Sequence, residues 1–538
     1  MSRPDHSTIA AEEENISSYV DSCVNLESYF SIALSAEVIK EMVDNLSSRP
    51  CGLVLGHKED VLRVLKENIL TEEKYADDVK EFEESGAAGD SAVRVGPVLV
   101  GVVAAAASRH NCAARPDCIS KIVKSIGGKA KLDPFPVLYV TPLSETITAL
   151  AVANGVARGS VKGKFESKSG LAQKQYFKSG SDIKLAFVED PLSAEERVVL
   201  TSTMHAINLV KRLVDTPTNL LDTVTFAEIA SKWCAKWNGK DGREVHIDIV
   251  KGDELRQQGY GGLWGTGKAA QYPPHLVTLS YKPSAAVLPD STKARKAAFV
   301  GKGIVYDSGG LSIKSGAGMC GMKHDMGGAA GVFGAFLALV ESHTPALVSC
   351  VLCLADNAVG PKSQRNDDII LMKSGITVEV NNTDAEGRLV LSDGVYHASA
   401  ELAYTPDLVV DMATLTGAQG IATGLNHAAI YSNTQAAEDA FQRSGRQSGD
   451  LCFPVLYCPE YHKKEFDSKV ADYRNSVTNR GNAQVSCAAQ FVGNNIPDSY
   501  KNHWVHVDMA YPVTADGIGT GFGVSLLVDV VTKKLNSL

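Results

Sequence analysis

Between Asn381 and Leu389 the chain reads Asn-Asn-Thr-Asp-Ala-Glu-Gly-Arg-Leu, and no other stretch restricts the folded structure as much. Two acids and a base stand at every second position, immediately before the apolar run Leu389-Val390-Leu391. Drawn as an extended strand, the segment aims Asp384, Glu386 and Arg388 to one side while the following residues enter a core. Two carboxylates brought together in a partly dry place do not both stay ionised unless a cation neutralises them, and one arginine is little for two acids. A metal ion is the natural partner. The same string also suits a solvated charge cluster at a strand end, so the rest of the chain has to decide between the two.

At 538 residues the chain exceeds one ordinary core, and two domains are expected. The longest apolar run, Pro97 to Ala107, is too short to span a bilayer and reads as a buried strand or helix. The amino-terminal stretch has no apolar signal core and is acidic where an organelle presequence is Arg-rich, which leaves a cytoplasmic location as the expectation. Eleven cysteines, an odd number scattered widely, do not form a disulfide framework. Cys350 and Cys353 have CxxC spacing, but a strand through their apolar run sends the sulfurs to opposite faces, so they read as core thiols. The formal charge of -9 argues against a general nucleic-acid surface, and no nucleic-acid or membrane partner is expected.

Residues 1–190 read as a first domain without visible chemistry, holding an acidic helix near 72–84 and strands near 98–103 and 136–140. The basic, glycine-rich segment Gly159 to Ser181 reads as an exposed excursion. A connector helix is predicted over about 193–214, capped by Ser193 with Glu195 and Glu196 in its first turn, and it opens a second domain at 191–538. A helix over 225–237 follows. Strand-like runs at 245–250, 298–305, 346–355, 376–380 and 408–412 then alternate with helical or glycine-rich segments. This is an α/β pattern of sheets sandwiched by helices. Gly262 to Lys268 mimics the spacing of a phosphate-binding loop, but Ala269 stands where that loop requires Ser or Thr, and no strand precedes it. None of the 13 histidines forms an HExxH pair.

A second constellation begins at Lys302 and runs through Asp307, the glycine pair Gly309-Gly310 and Lys314 to His324-Asp325. Strict alternation puts Lys302 and Asp307 on opposite faces of a strand, so a turn has to intervene if both serve one site. Pooled with the first stretch, the inventory is four carboxylates (Asp307, Asp325, Asp384, Glu386), two lysines and Arg388. Two divalent ions balance four acids. Oxygen-rich ligation with little histidine suits Zn²⁺, Mn²⁺, Mg²⁺ or Co²⁺, and a pair of such ions lowers the pKa of a shared water and so points to hydrolysis. His324 reads as a packing or supporting residue beside Asp325 rather than as a ligand.

The strings NTDAEGRL and GKGIVYDSGGLSIK, with the later DMGGAA, resemble those of the leucyl aminopeptidase (cytosol aminopeptidase) family. The likeness runs from about residue 195 to 525 through RLVDTPTN, ATLTGA and HVDMA. It implies two α/β domains, each a mixed sheet sandwiched by helices, the carboxyl-terminal one catalytic. It further implies a metal-dependent aminopeptidase that hydrolyses the first peptide bond with a hydroxide bridging two ions. One ion would be bound by Lys302, Asp307, Asp325 and Glu386 and the other by Asp307, Asp384 and Glu386, with Zn²⁺ or Mn²⁺ expected. Lys314 matches the family's catalytic lysine, Arg388 the arginine that holds a bicarbonate base, and Met322, Asn382, Thr414 and Gly417 the first side-chain pocket, which favours leucine-like residues. The resemblance also implies a homohexamer.

Two departures stand out. Gly521-Phe522-Gly523 follows Thr520 where many relatives carry Arg-Pro, and 480–484 reads as an altered loop. Another binuclear hydrolase, or a non-enzymatic scaffold or nucleic-acid-binding role on the same fold, remains an alternative on the residues alone.

Overall fold

The computed structural model describes residues 16–25, 30–47, 50–86, 89–127, 132–160, 182–189 and 191–538. Most of the predicted excursion, 161–181, lies outside them. The chain divides into two compact units, one of Leu26–Asn208 with Arg443–Leu451, the other of Leu209–Gln442 and Cys452–Leu538 with the segment ending at Asn25.

The first unit is built on β1 (Phe30–Ile32), β2 (Leu53–Gly56), β3 (Val93–Val95), β4 (Val98–Val102), β5 (Phe135–Tyr139) and β6 (Ile183–Phe187), in the order β1-β6-β5-β2-β4-β3. All neighbours are parallel except β3 against β4. Every residue of β2, β4 and β5 is buried, as a strand covered on both faces requires. The acidic stretch near 72–84 forms a short 3₁₀ turn and the helix Ala76–Glu84. Within this unit, Asn154 Nδ2 donates to Ser448 O at 2.8 Å and Asp450 Oδ1 at 3.1 Å, tying in a segment far along the chain.

The connector forms the helix Ala194–Asp215. Its predicted cap is a reciprocal box: Glu196 N donates to Ser193 Oγ at 3.1 Å, and Ser193 N donates to Glu196 Oε2 at 2.9 Å. The boundary between the two units falls within this helix, at Asn208.

The second unit contains β7 (Glu244–Lys251), β8 (His275–Lys282), β9 (Lys296–Asp307), β10 (Leu347–Asn357), β11 (Ile369–Leu371), β12 (Thr377–Glu379), β13 (Leu408–Ala413), β14 (Ala428–Ser432), β15 (Cys452–Pro454), β16 (Tyr473–Arg474) and β17 (His503–Asp508). Eight of them form one mixed sheet, β15-β14-β17-β13-β9-β10-β8-β7, whose central run β17-β13-β9-β10 is parallel. The predicted strand at 376–380 forms only over Thr377–Glu379 and joins a separate three-stranded sheet, β11-β12-β16. Helix Gly327–Glu341 is buried along its whole length to Val340, which is why its sequence is apolar on every side. Gly301 of β9 admits it closely, since a Cβ there would lie 2.4 Å from Ala329 Cα. Cys350 and Cys353 are buried, free thiols on β10, and burial raises both pKa values well above the ordinary thiol range.

Candidate metal centre

The segment that first suggested a metal is not a strand. Thr383 and Asp384 form a turn, Glu386 is the N-cap of helix Gly387–Ala400, and Leu389 to Leu391 enter the core from its first turns. The extended reading fails because three consecutive apolar residues after a glycine are also compatible with a buried helix. Asp384 and Glu386 still converge, brought together by the turn rather than by the period of a strand.

No turn separates Lys302 from Asp307 either. β9 runs unbroken to Asp307, but its pairing with β10 slips by one residue: Ile304 faces Ala355, and Tyr306, not Val305, faces Asp356. This β-bulge reverses the alternation and brings Lys302 and Asp307 to the same side. Helix Gly387–Ala400 lies above that side, and its first residue has to be small, because a Cβ at Gly387 would lie 2.6 Å from Lys302 Cε. After Asp307 the chain reverses through Gly309 (φ 84°) and Gly310 (φ 61°), which carries Lys314 back over the strand end. Asp325 comes from the 3₁₀ turn Met322–Met326 at the entry to helix Gly327–Glu341.

Oxygen atoms of Asp307, Asp384 and Glu386 lie within 4.8 Å of one another. Lys302 Nζ donates to Asp325 Oδ1 at 2.8 Å and to the Thr414 carbonyl at 2.9 Å, and lies 3.0 Å from Glu386 Oε1. Lys314 Nζ lies 2.8 Å from Asp307 Oδ2 and 2.5 Å from Asp384 Oδ1. Both contacts are ion pairs, so the one ammonium serves two acids. Asn357 at the end of β10 donates through Nδ2 to Asp307 Oδ1 at 2.8 Å, to the Thr383 carbonyl at 3.1 Å and to Glu386 Oε2 at 3.4 Å.

Lys302, Asp307, Asp325 and Glu386 are all buried, and Asp384 is half-buried. Burial, reinforced by Asp307, pushes Glu386 up to about 8, and burial pushes Asp325 up to about 7 against the pull of Lys302. Burial also raises Asp384. For the lysines burial acts in the opposite direction, yet the surrounding carboxylates outweigh it and hold both above the ordinary ammonium value. The four acids are thus short of positive charge even with two ammonium groups among them, and Asp325 Oδ2 is buried without a hydrogen-bond partner. An oxygen-rich donor set with surplus negative charge and an orphaned carboxylate oxygen fits divalent cations.

Arg388 sits in the first turn of the same helix, half-buried, and burial lowers its pKa to about 10. Its Nη1 donates to Asn475 O at 2.9 Å and its Nε has no partner. Thr414, expected at a side-chain pocket, directs its hydroxyl to Asp325 Oδ1 at 2.8 Å, so its polar group is engaged inside the centre. Asn382 Oδ1 accepts from Asp384 N at 3.0 Å and shapes the turn that presents that acid. Met322 begins the 3₁₀ turn that carries Asp325, and Gly417 precedes the short helix Ala418–Ala422 with open space around it. His324 is not part of the carboxylate cluster; burial lowers it to about 4. The sequence reading missed Asn357 and Asn475. The only available signal for Asn357 was a polar pair, Asp356-Asn357, at the end of an apolar run.

Residues 208–528 match the catalytic domain of the cytosol aminopeptidase family, and residues 53–171 match the M17 aminopeptidase N-terminal domain 2, for which the sequence offered no motif. The chain is 42% identical over 431 residues to the human probable aminopeptidase NPEPL1, covering 78% of this chain and 77% of that protein. The leucyl aminopeptidase of Trypanosoma brucei, solved in complex with bestatin, superimposes with a TM-score of 0.85 at 42% identity, covering 97% of this chain and 99% of that one. The leucine aminopeptidase LAP1 of Caenorhabditis elegans superimposes with a TM-score of 0.77 at 30% identity, over 94% and 96% of the two chains. By its motifs, its fold and these matches, the chain belongs to the cytosol aminopeptidase family and is a metal-dependent aminopeptidase.

Proposed function

We propose that this enzyme removes leucine-like amino-terminal residues from peptides with two divalent ions, one held by Lys302, Asp307, Asp325 and Glu386 and the other by Asp307, Asp384 and Glu386. The observation that carries this reading is the convergence of Asp307, Asp384 and Glu386 within 4.8 Å beside the unpartnered Oδ2 of Asp325. Zn²⁺ or Mn²⁺, with Mg²⁺ or Co²⁺ as alternatives, would supply Lewis acidity and an activated water. Lys302 serves as a ligand only as the neutral amine, so it gives up its proton on loading.

Lys314 stands at the rim beside Asp307 and Asp384, where its ammonium donates to the scissile carbonyl oxygen and stabilises the negative charge that develops there. Arg388 holds a bicarbonate ion as general base, and its unpartnered Nε is a donor available for that anion. Met322, Asn382, Thr414 and Gly417 border the first side-chain pocket. A free amino terminus is selected because an uncharged α-amine anchors the substrate with its first carbonyl at Lys314, an anchor that internal peptide bonds lack.

Residues 191–538 carry the chemistry and 1–190 do not. The protein works in the cytoplasm as a homohexamer. The test is release of leucine from a leucyl peptide by the purified enzyme. Chelation abolishes release and added Mn²⁺ or Zn²⁺ restores it, while Glu386→Ala reduces both metal content and turnover to background. Full turnover in Glu386→Ala sinks the ligand assignment.

A further inference from the structure

The second unit carries a cleft of about 660 Å³ whose lining shares no residue with the carboxylate centre. Its walls are the helix Asp253–Gln257, the helix Gly261–Gly267 with Lys268, the Pro273-Pro274 corner and part of 361–368. The segment that imitates a phosphate-binding loop in the sequence is therefore one wall of a real cavity, as a helix rather than a loop. That wall is closely packed: a Cβ at Gly267 would lie 2.6 Å from Pro274 Cβ, and Gly252 N donates to Pro274 O at 2.9 Å.

The charge in the cleft is unbalanced. Arg256, Lys268, Lys362 and Arg365 line it against two carboxylates, Asp253 and Asp368. Asp368 is engaged by Arg365, accepting from its backbone N at 2.9 Å and lying 3.4 Å from its Nη2, and Asp253 Oδ1 accepts from Trp264 Nε1 at 3.3 Å. Arg256, Lys268 and Lys362 have no ion pair or side-chain hydrogen bond among the described residues. In a chain of formal charge -9, this is a local excess of uncommitted cations. Two of them crowd one ring: Arg256 Cζ lies 5.0 Å and Lys268 Nζ 4.9 Å from the Trp264 centroid. The indole attracts each cation, but like charges brought this close to one ring also repel, and an anion bound within reach of both relieves that repulsion.

We propose that this cleft binds a compact multivalent oxyanion of the oligophosphate type. The cations come from three separate segments, so a chain of phosphate groups reaches more of them than a single phosphate does. Arginine forks and lysine point charges are the side chains that recognise phosphate oxygens. The volume lies within the range of small-ligand pockets. The π-system of Trp264 is already engaged by two cations, so a nucleoside base gains no stacking there, and the phosphates rather than a base carry recognition.

Binding of inorganic tripolyphosphate to the metal-loaded enzyme, measured by titration calorimetry at several salt concentrations, tests this. Tripolyphosphate also chelates divalent ions, so the comparison between variants carries the result. Arg256→Gln/Lys268→Gln weakens binding at least tenfold and flattens its salt dependence. Lys362→Gln, a single change at an exposed position, weakens it at least threefold and serves if the double variant is poorly folded. Leucine release without added anion stays within twofold of the unaltered enzyme in each variant, and ATP binds no tighter than tripolyphosphate. Undiminished binding in the variants places the anion at the metals and overturns the proposal. ATP binding tenfold tighter overturns the oligophosphate assignment in favour of a nucleotide. A changed oligomeric mass in the variants overturns it in favour of a contact between copies.

Discussion

Outside the proposed ligand set, Asn357 is the residue most closely tied to the acids. One amide group donates to Asp307, to the Thr383 carbonyl and to Glu386, and so ties the end of β10 to two acids and to the turn that presents Asp384. Hydrogen bonds of this kind orient ligands and tune their basicity, and losing one costs roughly 10- to 100-fold in metal affinity or activity. Asn357→Ala is expected to fold normally and to show that loss in metal titration and in leucine release; unchanged values for both reduce Asn357 to a packing residue. Asn357 is invisible to motif reading because an asparagine at a strand end is ordinary. Only its alignment opposite Asp307 across the β9–β10 ladder gives it this role.

Helix Gly387–Ala400 is held at both ends. At its start, Gly387 leaves room for the Lys302 side chain and Glu386 faces the Lys302 ammonium. At its end, Glu401 pairs with Lys373 Nζ at 2.8 Å, accepts from Tyr260 Oη at 2.8 Å and lies 3.0 Å from His397 Nδ1. Burial disfavours the Glu401 carboxylate, but His397, Lys373 and Tyr260 outweigh it and hold its pKa at about 2 against an ordinary value of 4.5. A carboxylate with a depressed folded-state pKa contributes stability that is present above about pH 4.5 and is lost as pH falls toward 2. Glu401→Gln is therefore expected to melt below the unaltered protein at pH 7, with the gap closing between pH 4.5 and 2. Because the group is partly exposed, solvent screening keeps the effect modest. A gap independent of pH across that window assigns the loss to packing instead. The sequence suggested a strand entering the core in this region; the helix prevailed because the glycine admits Lys302 and its apolar residues pack into one core with β9 and β10.

At the scale of the whole molecule, the proposed homohexamer is open to direct measurement. Light scattering on the purified enzyme is expected to give about six times the 57.2 kDa of one chain, and a monomer mass at working concentration contradicts it. The sequence by itself determined the α/β class, the capped connector helix and the inventory of four acids, two lysines and an arginine, because periodicity, capping chemistry and charge are properties of short stretches. It also held the motifs through which the family is recognised. What only the tertiary structure decided is register and proximity. The bulge in β9 exists only relative to β10, the return of Arg443–Leu451 to the first unit exists only through its contacts, and the cluster joins acids from positions 307, 325, 384 and 386. Local sequence fixes what each side chain can do. Which partner it meets depends on a pairing register between strands that are far apart in the chain, and no short stretch contains that information.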